Sequence, residues 1–157
     1  MRASRPPAKT WTRAHRLFAA GGEVYDLPEP ALDAFTAAAG SGPALAFLLA
    51  QAMAEGALEA GRQAGLTEAL ARRIVAQTIR GAAEMLKAEQ QGQPADPIAL
   101  RQRVTSPGGT TAAAVELLEA RGVPEALRQA VVAAARRSAE LGQGLDAPAD
   151  GQPPQPE

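Results

Sequence analysis

The 157 residues contain no cysteine and a single histidine, His15. That excludes disulfide cross-links, thiol nucleophiles and a zinc site built from the ordinary nitrogen and sulfur ligands. Aromatic residues are scarce too, at 3%. Trp11, Phe18, Phe35 and Phe47 are too scattered to form a stacking platform and read as packing residues. Neither sign of charge dominates: the formal net charge is −1, with acidic and basic residues interspersed. The electrostatic footprint of a nucleic-acid or anionic-membrane partner is therefore absent. Long apolar runs are missing as well. The longest, residues 43–54, is interrupted by Gln51 and followed by Glu55, well short of the roughly 20 residues needed to cross a bilayer. The N-terminus is basic (Arg2, Arg5, Lys9), but Thr12, Arg13, His15 and Arg16 break the apolar stretch that a signal peptide would place next. A cytoplasmic setting fits these features.

What the chain does have is small apolar side chains. It is 46% hydrophobic and 21% charged, and rich in alanine and glycine, a composition suited to one soluble domain with a substantial core. A core of small side chains lets helices approach closely, so the expected fold is helix on helix.

The chain pattern agrees. Residues 1–10 hold two prolines and three cationic side chains without periodicity and read as a disordered leader. A short helix is expected over residues 12–20, ended by Gly21-Gly22 through a left-handed cap, and then a short extended piece over residues 23–27. Ala31, Leu32, Phe35 and Ala38 share a helical face until Gly40-Ser41-Gly42-Pro43 breaks it. Pro43 suits the first turn of the next helix, predicted to run to about Ala64 and stop at Gly65. Its small residues Gly56, Ala57, Ala60, Gly61 and Ala64 form a ridge suited to a buried helix. Thr67 caps a helix reaching about Glu89, with Leu70, Ile74, Thr78, Ala82, Met85 and Leu86 on one face. Residues 90–95 read as a polar loop, and Asp96-Pro97 opens a short helix to about Arg103. Another helix is expected from Thr110 to Arg121, closed by Gly122, and Pro124 opens the last. Beyond Gly142 the composition is that of a disordered tail.

Two stretches combine glycine and hydroxyl side chains at a helix start, where free backbone N–H groups and the helix dipole favour an anion. The stronger is Val104-Thr105-Ser106-Pro107-Gly108-Gly109-Thr110-Thr111. It suits a carboxylate or phosphate cradle. It also suits a tight Pro-Gly-Gly turn with a threonine as helix cap. Gly40-Ser41-Gly42-Pro43 reads chiefly as a bend between helices, with Ser41 or Gly42 supplying the cap. No nucleophile and base pair can be assembled. His15 reads as a surface histidine, and Glu55 and Glu59, one turn apart near Arg62, read as a solvated strip.

Residues 100–118, LRQRVTSPGGTTAAAVELL, resemble the signature region of pyrroline-5-carboxylate reductases. Gly40-Ser41-Gly42-Pro43-Ala44, Ala76-Gln77-Thr78, Gly81-Ala82-Ala83 and Arg137-Ser138-Ala139-Glu140-Leu141 also resemble that family in order and spacing, so the likeness spans about residues 12–142. Leu45 stands where the family commonly has an aromatic residue, and Ala39 where a serine is common.

The resemblance implies a family that reduces the ring imine of pyrroline-5-carboxylate to proline with hydride from NADPH or NADH. It implies a Rossmann domain for the dinucleotide, followed by an all-helical domain that interlocks with its twin and places the substrate pocket at the dimer. Residues 1–11 would be leader, 12–28 a helix-strand remnant of the end of the Rossmann domain, 29–142 the helical dimerisation domain and 143–157 a tail. By the same resemblance Ser106, Gly108, Gly109, Thr110 and Thr111 bind the substrate carboxylate, and Thr111 donates or relays the proton to the ring nitrogen. No strand followed by a glycine-rich dinucleotide turn occurs in the sequence, so no cofactor-binding residue and no metal ligand is assigned. The expectation is a homodimer, inactive as an enzyme by itself and active with a Rossmann-domain partner. The alternatives are a non-catalytic module pairing with itself or with a full-length reductase, and a binder of proline-like carboxylates.

Overall fold

The computed structural model describes residues 8–88 and 95–145, which divide into two compact units between Leu32 and Asp33. The leader's residues 1–7, the polar loop at 89–94 and the tail from 146 lie outside the described residues.

In the first unit, helix α1 spans Ala8–Ala19, starting earlier than expected and taking in the end of the anticipated leader. It ends with Gly21 N–H donating to the Phe18 carbonyl at 2.9 Å. Neither Gly21 nor Gly22 has the positive φ of a left-handed cap; that conformation occurs at Gly65, Gly108 and Gly122. The expected strand does not form. Residues 23–28 have no regular structure, and there is no strand among the described residues, because an extended segment becomes a strand only against a neighbour that completes its ladder. His15 is not a lone surface side chain: its Nε2 pairs with Asp26 Oδ1 at 2.8 Å and its ring lies 5.3 Å from that of Trp11. The Glu23 carboxylate accepts the Tyr25 O–H and holds that phenol above its ordinary value.

A single 3₁₀ turn, Glu29–Ala31, leads into α2 (Leu32–Phe35), a π turn (Thr36–Gly40) and α3 (Gly42–Gly61). The break expected at Gly40-Ser41-Gly42-Pro43 is therefore slight. Ser41 itself is helical (φ −90°, ψ −23°), makes no side-chain cap bond, and donates its N–H to the Thr36 carbonyl five residues back. By length and composition the run Glu29–Ala64 would suffice to cross a membrane, a longer apolar helix than the sequence pattern suggested.

A 3₁₀ turn (Arg62–Ala64) and left-handed Gly65 (φ 87°) stop α3 where expected. Leu66 folds back over Gly61, where any Cβ would come within 2.9 Å of the leucine side chain. Thr67 then caps α4 (Glu68–Lys87), its hydroxyl accepting the Leu70 N–H at 3.3 Å. Asp96 does the same for α5 (Pro97–Arg103), accepting from Ile98 at 2.9 Å. Helix α6 (Thr110–Ala120) ends at Gly122 (φ 70°), and α7 spans Val123–Leu145.

Packing within the chain rests on small side chains. Helix α3 lies along α4, α5 along α4, and α7 along both α6 and the π turn. Ala37, Ala54, Ala71, Val75, Ala95 and Leu100 are the buried hydrophobics among the described residues. Ser138 on α7 donates to Asp33 Oδ1 at 2.7 Å, fixing α7 beside α2.

Two expectations about faces fail. The α4 stripe in the core is Ala71 and Val75, one position along from Leu70 and Ile74, which are about half exposed, as are Met85 and Leu86. Helix α3 is not buried: Gly56, Ala60 and Ala64 are exposed, as are Phe47, Leu48, Leu49 and Met53. The reason is physical. Helix α3 is apolar over most of its circumference, outside the strip of Gln51, Glu55 and Glu59, and one chain supplies cover for one side only.

Candidate functional site

The candidate loop is built by two helix ends and a turn. At the end of α5 the Arg101 carbonyl accepts the Val104 N–H at 3.2 Å and the Thr105 hydroxyl at 2.7 Å. Thr105 N–H donates to the Gln102 carbonyl at 3.1 Å. Ser106-Pro107-Gly108-Gly109 then closes as a four-residue turn, with Gly109 N–H donating to the Ser106 carbonyl at 3.0 Å. Proline in its second place and a positive-φ residue in its third suit a type II turn, and Gly108 has φ 69°.

The second glycine is needed for room. A Cβ at Gly109 would stand 2.5 Å from the Ser106 hydroxyl oxygen and 3.1 Å from its carbonyl oxygen. Gly109, not a threonine, is the N-cap of α6, and it brings no side chain to the cap. Its carbonyl accepts the Ala113 N–H at 3.2 Å. The amides of Thr110, Thr111 and Ala112 precede the first possible intrahelical acceptor, so they gather at the positive end of the helix dipole. Ser106, Gly108 and Thr110 are exposed, while Gly109 and Thr111 are half-buried.

Residues 104–111 include no titratable side chain. The loop offers N–H and O–H donors to an anion and a half-buried hydroxyl at Thr111, and no carboxylate or imidazole for acid–base work. All five predicted site residues fall on this one turn and helix start. Ser41, from the second stretch, belongs to a different place, where the π turn packs between α3 and α7. Glu55 accepts from Gln51 at 2.9 Å in the solvated strip expected of it. A groove of about 430 Å³ between α3 and α4, lined among others by Ala50, Ala54, Leu58 and Val75, contains none of the loop residues.

One residue that frames the loop was not singled out in the sequence. Arg101 Nη1 donates to Glu119 Oε1 on α6 at 2.9 Å, and a separation of 18 residues carries no local signal.

Comparison with known proteins bears on the same segment. The family model described as pyrroline-5-carboxylate reductase dimerisation matches residues 29–141. The pyrroline-5-carboxylate reductase of Synechocystis is 43% identical over 130 residues, covering 83% of this chain and 46% of that protein. That of Arabidopsis thaliana is 45% identical over 127 residues, 81% of this chain and 43% of that protein. Among solved structures, Plasmodium falciparum pyrroline carboxylate reductase with NADP bound superposes with a TM-score of 0.74 at 29% identity, covering 87% of this chain and 51% of that one. The Coxiella burnetii pyrroline-5-carboxylate reductase superposes with a TM-score of 0.71 at 36% identity, covering 87% and 48%. The chain thus spans about half the length of the relatives it matches. With the family model covering residues 29–141 of an all-helical fold, the chain belongs to the pyrroline-5-carboxylate reductase dimerisation family.

Proposed function

We propose that this chain supplies the dimerisation and substrate-binding half of a pyrroline-5-carboxylate reductase, with residues 12–28 as the end of a Rossmann domain and residues 29–142 as the dimerisation domain. The observation that carries the reading is the α6 N-terminus, whose glycine cap leaves three amides and the Thr111 hydroxyl grouped within the segment matched to the family. The substrate carboxylate binds at the turn and helix start formed by Ser106, Gly108, Gly109, Thr110 and Thr111. Hydride adds to the imine carbon, the C=N double bond becomes single, and a proton reaches the nitrogen from or through the Thr111 hydroxyl. NADPH or NADH supplies the hydride from a nucleotide-binding domain, and no residue here is assigned to hold it. The working form is a cytoplasmic homodimer, completed by a Rossmann-domain protein or paired with a full-length reductase.

The test is the rate of NADPH oxidation with pyrroline-5-carboxylate, first with the purified chain alone and then with a Rossmann domain of the family added. Turnover only in the mixture, lowered by Thr111→Ala at unchanged dimer affinity, is the expected result. Silence in both mixtures, with a stable dimer formed, would instead leave the non-catalytic dimerisation module. That second reading is favoured by the uncovered apolar face of α3.

A further inference from the structure

The loop at residues 104–109 hangs between two helices that pack on different neighbours: α5 lies against α4, and α6 against α7. Its geometry therefore depends on whatever ties α5 to α6 directly. The ion pairs Glu68–Arg72, Glu125–Arg128 and Arg137–Glu140 each lie within one helix, three or four residues apart. Arg101–Glu119 differs. It joins the last turn of α5 to the last turn of α6 at 2.9 Å.

Arg101 also holds the start of the loop from its other end, since its carbonyl accepts both the Val104 N–H and the Thr105 hydroxyl. One residue thus grips the loop's first residues through its backbone and the far helix through its guanidinium. We propose that Arg101 and Glu119 are positioning residues for the anion-binding turn. They set the angle at which the α6 amides meet the Ser106-Pro107-Gly108-Gly109 turn, without touching the ligand. The proposal rests on the reading of that turn as the carboxylate site, and its test separates the two.

Both side chains are about half exposed (49% each). Pairs of this kind are worth little in global stability but enough to shift a local opening equilibrium about two- to fivefold. In Arg101→Gln and Glu119→Gln variants of the full chain, the amide of Gly109, which bonds to Ser106 across the turn, is expected to exchange with solvent about two- to fivefold faster. Amides in the middle of α4 and α7 should be unchanged. The exchanged pair Arg101→Glu with Glu119→Arg should restore protection, because it rebuilds the bond with its ends reversed.

Titration with L-proline, followed by calorimetry, forms the second arm. Affinity should fall by the same factor in each single variant and return in the exchanged pair. If the wild-type chain takes up no proline, the carboxylate reading fails while the exchange arm still decides the positioning role. Unchanged Gly109 exchange, an equal rise throughout α4 and α7, or no recovery in the exchanged pair would overturn the proposal.

Discussion

Leu48 on α3 separates a monomer's surface from an interface. Its side chain is 61% exposed. Fully burying a leucine is worth about 1.5–3 kcal/mol, so covering the remaining exposure on association contributes about 1–2 kcal/mol per copy. A twofold dimer presents the residue twice, which makes the total about 2–4 kcal/mol. Leu48→Ala should therefore raise the dimer dissociation constant about 30- to 1,000-fold. Each monomer's own packing should change little, since most of the removed surface faces solvent. Sedimentation equilibrium over a wide concentration range reads the constant, and circular dichroism checks the helices. Because folding and association are linked, the wild-type melting temperature should also rise with protein concentration. An unchanged dissociation constant, or a wild-type chain that stays monomeric at every concentration, would refute the reasoning.

Other consequences follow from local geometry. Gly108→Ala places a Cβ on a residue with φ 69° and should cost about 1–2 kcal/mol, seen as a lower melting temperature and faster exchange in the turn; an unchanged value would mean the turn adopts another form. Asp96→Ala removes the cap that accepts the Ile98 N–H and should cost about 0.5–2 kcal/mol, measurable by urea denaturation, whereas Asp96→Asn should be nearly neutral. Glu125 is held below the ordinary carboxylate value by hydrogen bonds from Arg128 and then Gln129. Its contribution to the first turn of α7 is present above the ordinary carboxylate value and lost as pH falls through the lowered one. Carbon-detected NMR titration should show the midpoint move back up in Arg128→Ala.

The elements that sequence reading placed well are those whose causes are local. Thr67 and Asp96 cap their helices through their own side chains, and Gly65 and Gly122 stop theirs by adopting a conformation few other residues tolerate. The turn at Ser106-Pro107-Gly108-Gly109 is legible for the same reason, and the resemblance then gave it a chemical meaning. The misses have non-local causes. Whether residues 23–27 form a strand depends on a neighbouring edge, and the sequence of the segment cannot supply one. The π turn at Thr36–Gly40 and the helical Ser41 replace the break expected from glycine and proline, because Pro43 falls in the first turn of α3, where it costs no hydrogen bond. The Arg101–Glu119 pair joins residues too far apart for any periodic pattern to link.

The most instructive miss is the choice of face. Periodicity on α4 grouped Leu70, Ile74, Met85 and Leu86 on one face, yet the chain buries Ala71 and Val75 and leaves those larger residues open. Periodicity marks surface that leaves water, not the surface that covers it. Within one chain the alanine stripes let α3 and α4 approach closely, but burying a methyl group contributes little beside burying a leucine or isoleucine. On the reading proposed above, much of the remaining hydrophobic stabilisation waits on association. The loop at residues 104–109 shares in this, since α5 rests on α4 and carries the loop's first anchor at Arg101. On the reading proposed above, assembly and site formation are one event: a substitution such as Leu48→Ala, remote in sequence from residues 104–111, should weaken carboxylate binding at low protein concentration and lose that effect as concentration restores the dimer.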